Sequence, residues 1–280
     1  MPQFFVRAFT LIELLMVIVI VGVIAAMAVP AIIHWRKPDV TEAANRQLLD
    51  DFARARQLAV SHRSTVYMVF IPENFWGNLN SVPWSRLPGA VQTSAIMTQM
   101  YGAQWTGYML VELRGVGDQP GQAAARDLQQ VKTLPDGSFI SPIKFTAPAY
   151  PGTPTVIRSS FPVYGFLTTN NIPFPSADVL ADPAYTTLFK SEGGLTLPYI
   201  AFNSQGQLTS GDGSVLPYDE YIPLAYGTVL PSRDPKTREY VQGIPDVTEV
   251  PAGGSTGSSY NLIHIDRITG RARVERQEAQ

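Results

Sequence analysis

The chain has 280 residues, a formal net charge of −2 at pH 7 and no cysteine. Without cysteine it has no disulfides, thiolate zinc sites or cysteine nucleophiles, and its balanced charge gives no bulk attraction to nucleic acid or anionic membranes. The length allows one membrane helix and one sizeable soluble domain, and the 23 prolines and 22 glycines favour a loop-rich β domain over a helical bundle.

An uncharged apolar run covers residues 14–33 and follows a single carboxylate, Glu13. A helix of this length rises roughly 30 Å, the thickness of the hydrocarbon core of a bilayer. A charge in such a helix costs on the order of 3 kcal/mol, so sequences keep it where it has a use. A cleaved secretory signal has a shorter apolar region, about 7–15 residues, and lacks an acid at its front. The run therefore favours a retained membrane helix.

The N-terminal residues resemble the type IV pilins and the type II secretion pseudopilins. A short basic leader, residues 1–8, precedes the sequence FTLIE and the apolar run. The residues that carry the resemblance are Phe9, Thr10, Leu11, Ile12, Glu13, Gly22 and Pro30. The chain departs from the family at Ala8, where glycine is usual. Alanine is the next smallest residue and suits a peptidase pocket that selects for small size.

The resemblance implies a role for each of these positions. Prepilin peptidase/methyltransferase is expected to cleave after Ala8 and to methylate the new N-terminus at Phe9. Glu13 is expected to dock onto the N-terminal amine of a neighbouring pilin subunit, because a paired buried charge is favoured over an unpaired one. Pro30 is expected to kink the helix. The family also implies a single-pass inner-membrane protein with a periplasmic C-terminal domain, which enters a filament after assembly.

A second helical pattern follows the first. Pro38 is expected to break or kink the helix, and Asp39 with Glu42 resembles a capping box. Apolar residues then recur at three- and four-residue steps in the predicted helix 40–62, which indicates one face laid on another element. These apolar positions are Ala44, Leu48, Phe52, Ala55 and Ala59.

Four later segments indicate strands and tight turns. Thr65 to Ile71 reads as a first strand, and LPDGSFI (134–140) as a turn and a strand. The segments YIAFNSQGQL (199–208) and LIHIDRITGRARV (262–274) read as hairpins whose turns use glycine. Together with the preceding Ala-Arg-rich helix end, these segments resemble the GspH/FimT-like minor pseudopilin branch.

Two long insertions depart from that branch, at about residues 72–130 and 211–259. The first carries Trp76, Trp84, Trp105 and Tyr108, and an alanine-rich patch, residues 122–128, that suggests a short helix. The aromatic residues suit either a binding surface or, as the favoured interpretation, the core of an enlarged domain. The second insertion contains GGSTGSS (253–259), typical of a flexible tip.

No pattern in the chain predicts catalysis, a metal site or a cofactor. The three histidines, His34, His62 and His264, are not at metal-ligand spacing, and hydrolase and dinucleotide motifs are absent or wrongly spaced. Asp219 and Glu220 are adjacent, so in a strand they point to opposite faces. The arginine run from Arg267 to Arg276 suits a solvated edge strand better than a DNA contact, since acids lie beside it.

The sequence therefore predicts an α+β fold with three parts: a leader (1–8), a transmembrane and filament-core helix (9–37), and a periplasmic pilin-like domain (38–280). In that domain an antiparallel β-sheet with long insertions packs on the helix. The predicted function is a minor pilin or pseudopilin subunit rather than an enzyme. The alternative is a membrane-anchored adhesin or binding module that does not polymerise. Type II secretion and type IV pilus systems share these N-terminal residues, so both remain open.

Overall fold

In the computed structural model, the described residues are 11–78, 95–115, 126–157, 160–167, 197–250 and 261–275. The side chains of residues 25–41 lie outside the description, although the helical path through them is given. Contacts divide the chain into two compact units, Met1–Val40 and Thr41–Gln280. The predicted α+β class is confirmed, because a long N-terminal helix is followed by antiparallel sheets.

The helix α1 covers Leu11–His62 without interruption. A break at Pro38, with a new helix beginning near Val40, is therefore wrong, and the alternative expectation of a kink stays a prediction. A proline inside a helix removes one amide donor and costs about 3 kcal/mol, but the turns on either side keep their hydrogen bonds. Among the residues that the structure describes in full, which leave out 25–41, no helix combines the length and the apolar character that crossing a membrane demands.

A five-stranded antiparallel sheet forms the centre of the second unit. Its strands are β1 (Val66–Phe70), β2 (Gly107–Glu112), β3 (Arg126–Thr133), β7 (Tyr199–Phe202) and β8 (Leu208–Thr209), in the order β3-β2-β1-β7-β8. Strand β1 is central and every residue in it is buried, which fits its β-branched and aromatic sequence VYMVF. The first strand predicted from the sequence is confirmed.

A second antiparallel sheet contains the longest strand. Its members are β4 (Ser138–Ile140), β9 (Glu220–Leu230), β10 (Asp246–Glu249), β11 (Asn261–Ile265) and β12 (Ala272–Glu275). The order is β10-β9-β11-β12, and β4 also pairs with β9. The strands β5 (Thr155–Ile157) and β6 (Phe161–Val163) form a separate two-stranded sheet. Short helices link these parts: a 3₁₀ turn at Phe75–Asn78, α2 (Ala95–Gly102) and α3 (Pro142–Thr146).

The C-terminal part of α1 packs on the first sheet through the face that the sequence predicted. All five predicted positions, Ala44, Leu48, Phe52, Ala55 and Ala59, are fully buried in the main core. The ring of Phe52 lies 6.4 Å from that of Phe202 on β7. Small alanines on this face allow the helix to approach the sheet closely. Leu48 and Phe52 contribute most of the buried apolar area, and each Å² of such area stabilises the fold by about 25 cal/mol.

The two predicted hairpins are confirmed, and their turns lie against each other. In the β7–β8 turn, the Asn203 side chain accepts hydrogen bonds from the amides of Gln205 and Gln207, both at 3.0 Å. Gly206 has φ +76° and Gly270, in the β11–β12 turn, has φ +61°, conformations that favour glycine. Nε of Arg56 on α1 donates to the Thr269 carbonyl at 2.6 Å, which ties the helix to the second turn.

The first insertion belongs to the core where the structure describes it. Tyr108 is fully buried, Trp105 is 7% exposed, and Trp76 packs against the core cluster. Trp84 lies outside the described residues, as does the predicted flexible tip at 253–259. The suggested helix at 122–128 is wrong at its end, because Arg126–Thr133 form strand β3, where pairing with β2 overrides local helix propensity.

Candidate functional site

The predicted processing and docking residues occupy the first compact unit. Ala8 and Phe9 lie outside the described residues. Glu13 is in the first turn of α1 and is exposed. Pro30 lies within the helical path, but its side chain is outside the description, so its kink stays a prediction.

The helix around Glu13 shows apolar side chains on all of its faces. Every residue from 11 to 24 is exposed, with Leu11 at 83% and Ile12 at 75%. Because 3.6 residues make one turn, fourteen successive exposed positions cover the whole circumference. A helix that is apolar all round is stable when lipid or other helices surround it. Glu13 therefore sits in a segment whose apolar surface needs a partner.

A polar cluster fixes α1 to the first sheet in the second unit. The carboxylate of Asp51, 4% exposed, accepts hydrogen bonds from the Tyr108 hydroxyl and, at 2.7 Å, from Nζ of Lys132. Gln47 donates to the Tyr108 hydroxyl and to the Thr133 carbonyl, both at 2.8 Å. Burial, and then the bond to Asp51, raise the pKa of Tyr108, so the hydroxyl stays protonated. This cluster orients the helix, and the polar groups named here are all engaged in hydrogen bonds within it.

The most deeply buried charges are Lys144 on α3 and Glu220 at the start of β9. Their side chains are 0% and 1% exposed and form an ion pair. Lys144 also donates to the Tyr164 carbonyl at 2.8 Å and lies 4.9 Å from the centre of the Phe166 ring. Burial lowers the pKa of Lys144 and raises that of Glu220, while each partner's charge opposes the shift. No sequence pattern predicted this pair, whose members are 76 positions apart.

A second charged cluster surrounds His264 on β11. Its Nε2 lies 2.9 Å from Asp219 and its Nδ1 lies 3.1 Å from Glu275, while its ring stacks on Tyr221 at 4.7 Å. Burial acts to raise the pKa of Glu275, but hydrogen bonds from Arg273 and His264 lower it overall. The two carboxylates lie at opposite edges of the imidazole, so one metal ion cannot contact all three groups. As the sequence predicted, Asp219 and Glu220 point to different surroundings.

The charged and polar residues of these three clusters are thus engaged in packing. Among the described residues, no group of three or more histidines and acids is arranged to hold a metal ion. Arg273 donates to Glu275 at 2.7 Å and Arg267 donates to the Pro217 carbonyl, so two members of the predicted arginine run serve the fold. Arg276 lies outside the described residues.

Comparison with known proteins gives one match, at the N-terminus. Residues 5–29 match the family described as the prokaryotic N-terminal methylation motif, the signature of type IV pilins and pseudopilins. Proteins with this motif are processed by prepilin peptidase, assemble with other pilins, and are in general not enzymes. The motif is consistent with a membrane-associated pilus or pseudopilus. No curated protein and no solved structure matches the chain.

Proposed function

Because the chain carries the N-terminal methylation motif of type IV pilins and pseudopilins, we propose that it is a minor subunit of a type IV pilus or type II secretion filament. The single observation that carries the proposal is this motif at residues 5–29, which contains Glu13. The all-round apolar surface of residues 11–24 supports it, because a filament core of packed helices would cover that surface.

In this proposal the subunit begins as a single-pass protein of the inner membrane. The uncharged run of residues 14–33 forms the span, and the folded second unit lies in the periplasm. Prepilin peptidase removes residues 1–8, and the amine of Phe9 is then methylated. The helix-on-sheet packing and the two glycine hairpins are the features that favour the GspH/FimT-like branch.

Assembly rather than catalysis is the proposed mechanism. Moving the apolar helix from lipid into a filament exchanges one apolar environment for another. Helix packing alone therefore does little to fix the alignment of neighbouring subunits along the filament. The Glu13 carboxylate supplies the register by pairing with the Phe9 amine of the adjacent subunit. In a low dielectric an unpaired charge costs several kcal/mol more than a paired one, which disfavours every misaligned register.

Mass spectrometry of the protein purified from its native membrane tests the processing step. We expect the mature chain to begin at N-methylated Phe9, because Ala8 is small enough for the peptidase pocket. The control variant Ala8→Gly restores the residue usual in the family and is expected to be cleaved at least as completely. An intact Met1 in the wild-type chain would contradict the proposal and would favour a membrane-anchored binding module that does not polymerise.

Filament incorporation tests the docking role of Glu13. We expect Glu13→Ala to be processed and folded but to enter filaments at least about tenfold less. The charge pairing that is lost contributes more than about 1.4 kcal/mol, and a free-energy change of that size shifts an equilibrium tenfold. Sheared filaments quantified by immunoblot against the membrane pool give the measurement. Glu42→Ala, which removes a half-buried acid on the same helix outside the N-terminal motif, is the control. Equal incorporation of both variants would refute the docking role.

A further inference from the structure

A groove at one end of the first sheet has no role in the proposed assembly. It has a volume of 690 Å³, within the range of about 300–1,000 Å³ found for small-molecule sites. It is formed where the end of α1, the end of β2 and the β7–β8 turn meet. The side chains that matter for its chemistry are Arg63, Arg114, Tyr67, Ser204 and Gln205.

The lining of the groove is cationic and rich in hydrogen-bond donors. Two arginines line it and no carboxylate does. A buried acid lies beside the groove at Gly115: Glu112 is 3% exposed at its side chain and is already held by His62 at 2.9 Å and by the Ser64 hydroxyl at 3.1 Å. Within the described part of the chain, neither Arg63 nor Arg114 forms an ion pair, so both guanidinium groups keep their charge and donors for something else.

The hydroxyl of a mostly buried tyrosine also lines the groove. Tyr67 is only 6% exposed, and its ring packs edge-on against Tyr199 at 5.3 Å. Burial raises the pKa of Tyr67 to about 12, so its hydroxyl remains a donor at neutral pH. Among the described residues this hydroxyl has no hydrogen-bond partner and is not enclosed by protein, so it can donate to water or to a ligand in the groove.

Arg63 has a strained backbone conformation, and its side chain lines the groove. The end of α1 is a Schellman motif: the Ser64 amide bonds to the Ala59 carbonyl at 3.2 Å, and the Arg63 amide to the Val60 carbonyl at 3.4 Å. Arg63 occupies the position where such motifs favour glycine, with φ 50°. A residue with a Cβ is disfavoured there, because its Cβ lies too close to the following carbonyl oxygen. If the only role of this cation were to interact with the helix dipole, it could occupy the preceding position in the chain without this strain.

From these observations we propose that the groove binds a small oxyanion ligand, a phosphoryl or carboxylate compound with at least two negative charges. Arg63 and Arg114 would pair with the oxyanion, since guanidinium groups present donors in a geometry that matches carboxylates and phosphates. Tyr67 would donate from the floor of the groove, and Ser204 and Gln205 from its rim. None of its residues lies in the N-terminal motif, so the proposal does not depend on the docking role of Glu13.

Isothermal titration calorimetry of the full-length chain in nonionic detergent, at constant ionic strength, tests the site. The probes are inorganic pyrophosphate and citrate, and we expect at least one of them to bind. Arg63→Gly should weaken that binding at least about tenfold, since a charge-assisted hydrogen bond contributes more than a factor of ten. The fold should tolerate this change, because glycine suits the backbone at this position. Tighter binding of pyrophosphate identifies a phosphoryl ligand, and tighter binding of citrate a carboxylate.

The chain offers a closely matched control in Arg238. This arginine is also exposed and has φ 64°, but it does not line the groove, so Arg238→Gly makes the same change in charge and backbone freedom elsewhere. It should bind the probes as the wild type does, whereas Arg114→Gln should weaken binding as Arg63→Gly does. Failure of both probes to bind the wild type, or equal binding by Arg63→Gly and Arg238→Gly, would overturn the proposal.

Discussion

Replacing Lys144 with methionine is expected to lower the free energy of unfolding by about 3–5 kcal/mol. Methionine has nearly the same length and packs well against Phe166, so the loss does not come from a cavity. It comes from Glu220, whose side chain is 1% exposed and would be left without a cation, so that it must either stay charged without a partner or take up a proton. The Tyr164 carbonyl would also lose its donor. Urea denaturation of the full-length chain in detergent, followed by tryptophan fluorescence, measures the effect.

Two further variants separate the buried charge from the lysine itself. The double variant Lys144→Met/Glu220→Leu should regain most of the lost stability, because replacing a whole buried ion pair with apolar residues is often neutral or stabilising. Arg46→Met breaks the exposed pair with Glu42, in which the side chains are 73% and 42% exposed, and should cost at most about 1 kcal/mol. A loss as small as this in Lys144→Met would contradict the explanation.

The same variant should acquire a characteristic dependence on pH. Burial raises the pKa of Glu220 in the folded protein, and the charge of Lys144 opposes that rise, so its removal raises the pKa further. An unfolded glutamate titrates near about pH 4.3. Above that pH the native state keeps a proton that the unfolded state has released, so stability falls as the pH rises. Lys144→Met should therefore lose more stability, relative to wild type, at pH 8 than at pH 5.

Local chemistry explains why much of the second unit could be predicted from the sequence. The spacing of Leu48, Phe52 and Ala55 in one helix defines a face, and all three are buried. Each hairpin is specified by neighbours in sequence, such as Asn203, which accepts hydrogen bonds from amides two and four residues on. Such patterns need no knowledge of the rest of the fold.

The features that could not be predicted depend on contacts between distant segments. Nothing near Lys144 indicates that it will meet Glu220, because their approach depends on how α3 and β9 are brought together. The groove likewise combines the ends of α1 and β2 with a turn after residue 202. Strand β3 shows the same dependence, since pairing with β2 decides the structure of Arg126 to Leu128. The positive φ of Arg63 gives no signal in a helical pattern that ends one residue before it.

The contact between the two hairpin turns leads to the second large expected effect. Gly270 has φ +61°, and a Cβ at this position would lie 2.0 Å from the backbone oxygen of Gly206. Gly270→Ala therefore adds a clash with backbone, which cannot rotate away, to the strain of a left-handed alanine. We expect a loss of at least about 2 kcal/mol in the free energy of unfolding, together with weakening of the Arg56 bond to Thr269.

A second glycine separates the clash from the strain. Gly213 has φ +86° and no atom within 4 Å of the position that its Cβ would take. Gly213→Ala should therefore cost only the conformational strain, about 1–2 kcal/mol. The difference in the free energy of unfolding between the two variants measures how closely the turns at Gly206 and Gly270 are packed. Because Arg56 joins these turns to α1, an equal loss in both variants would mean that the turns do not hold the end of the helix against the sheets.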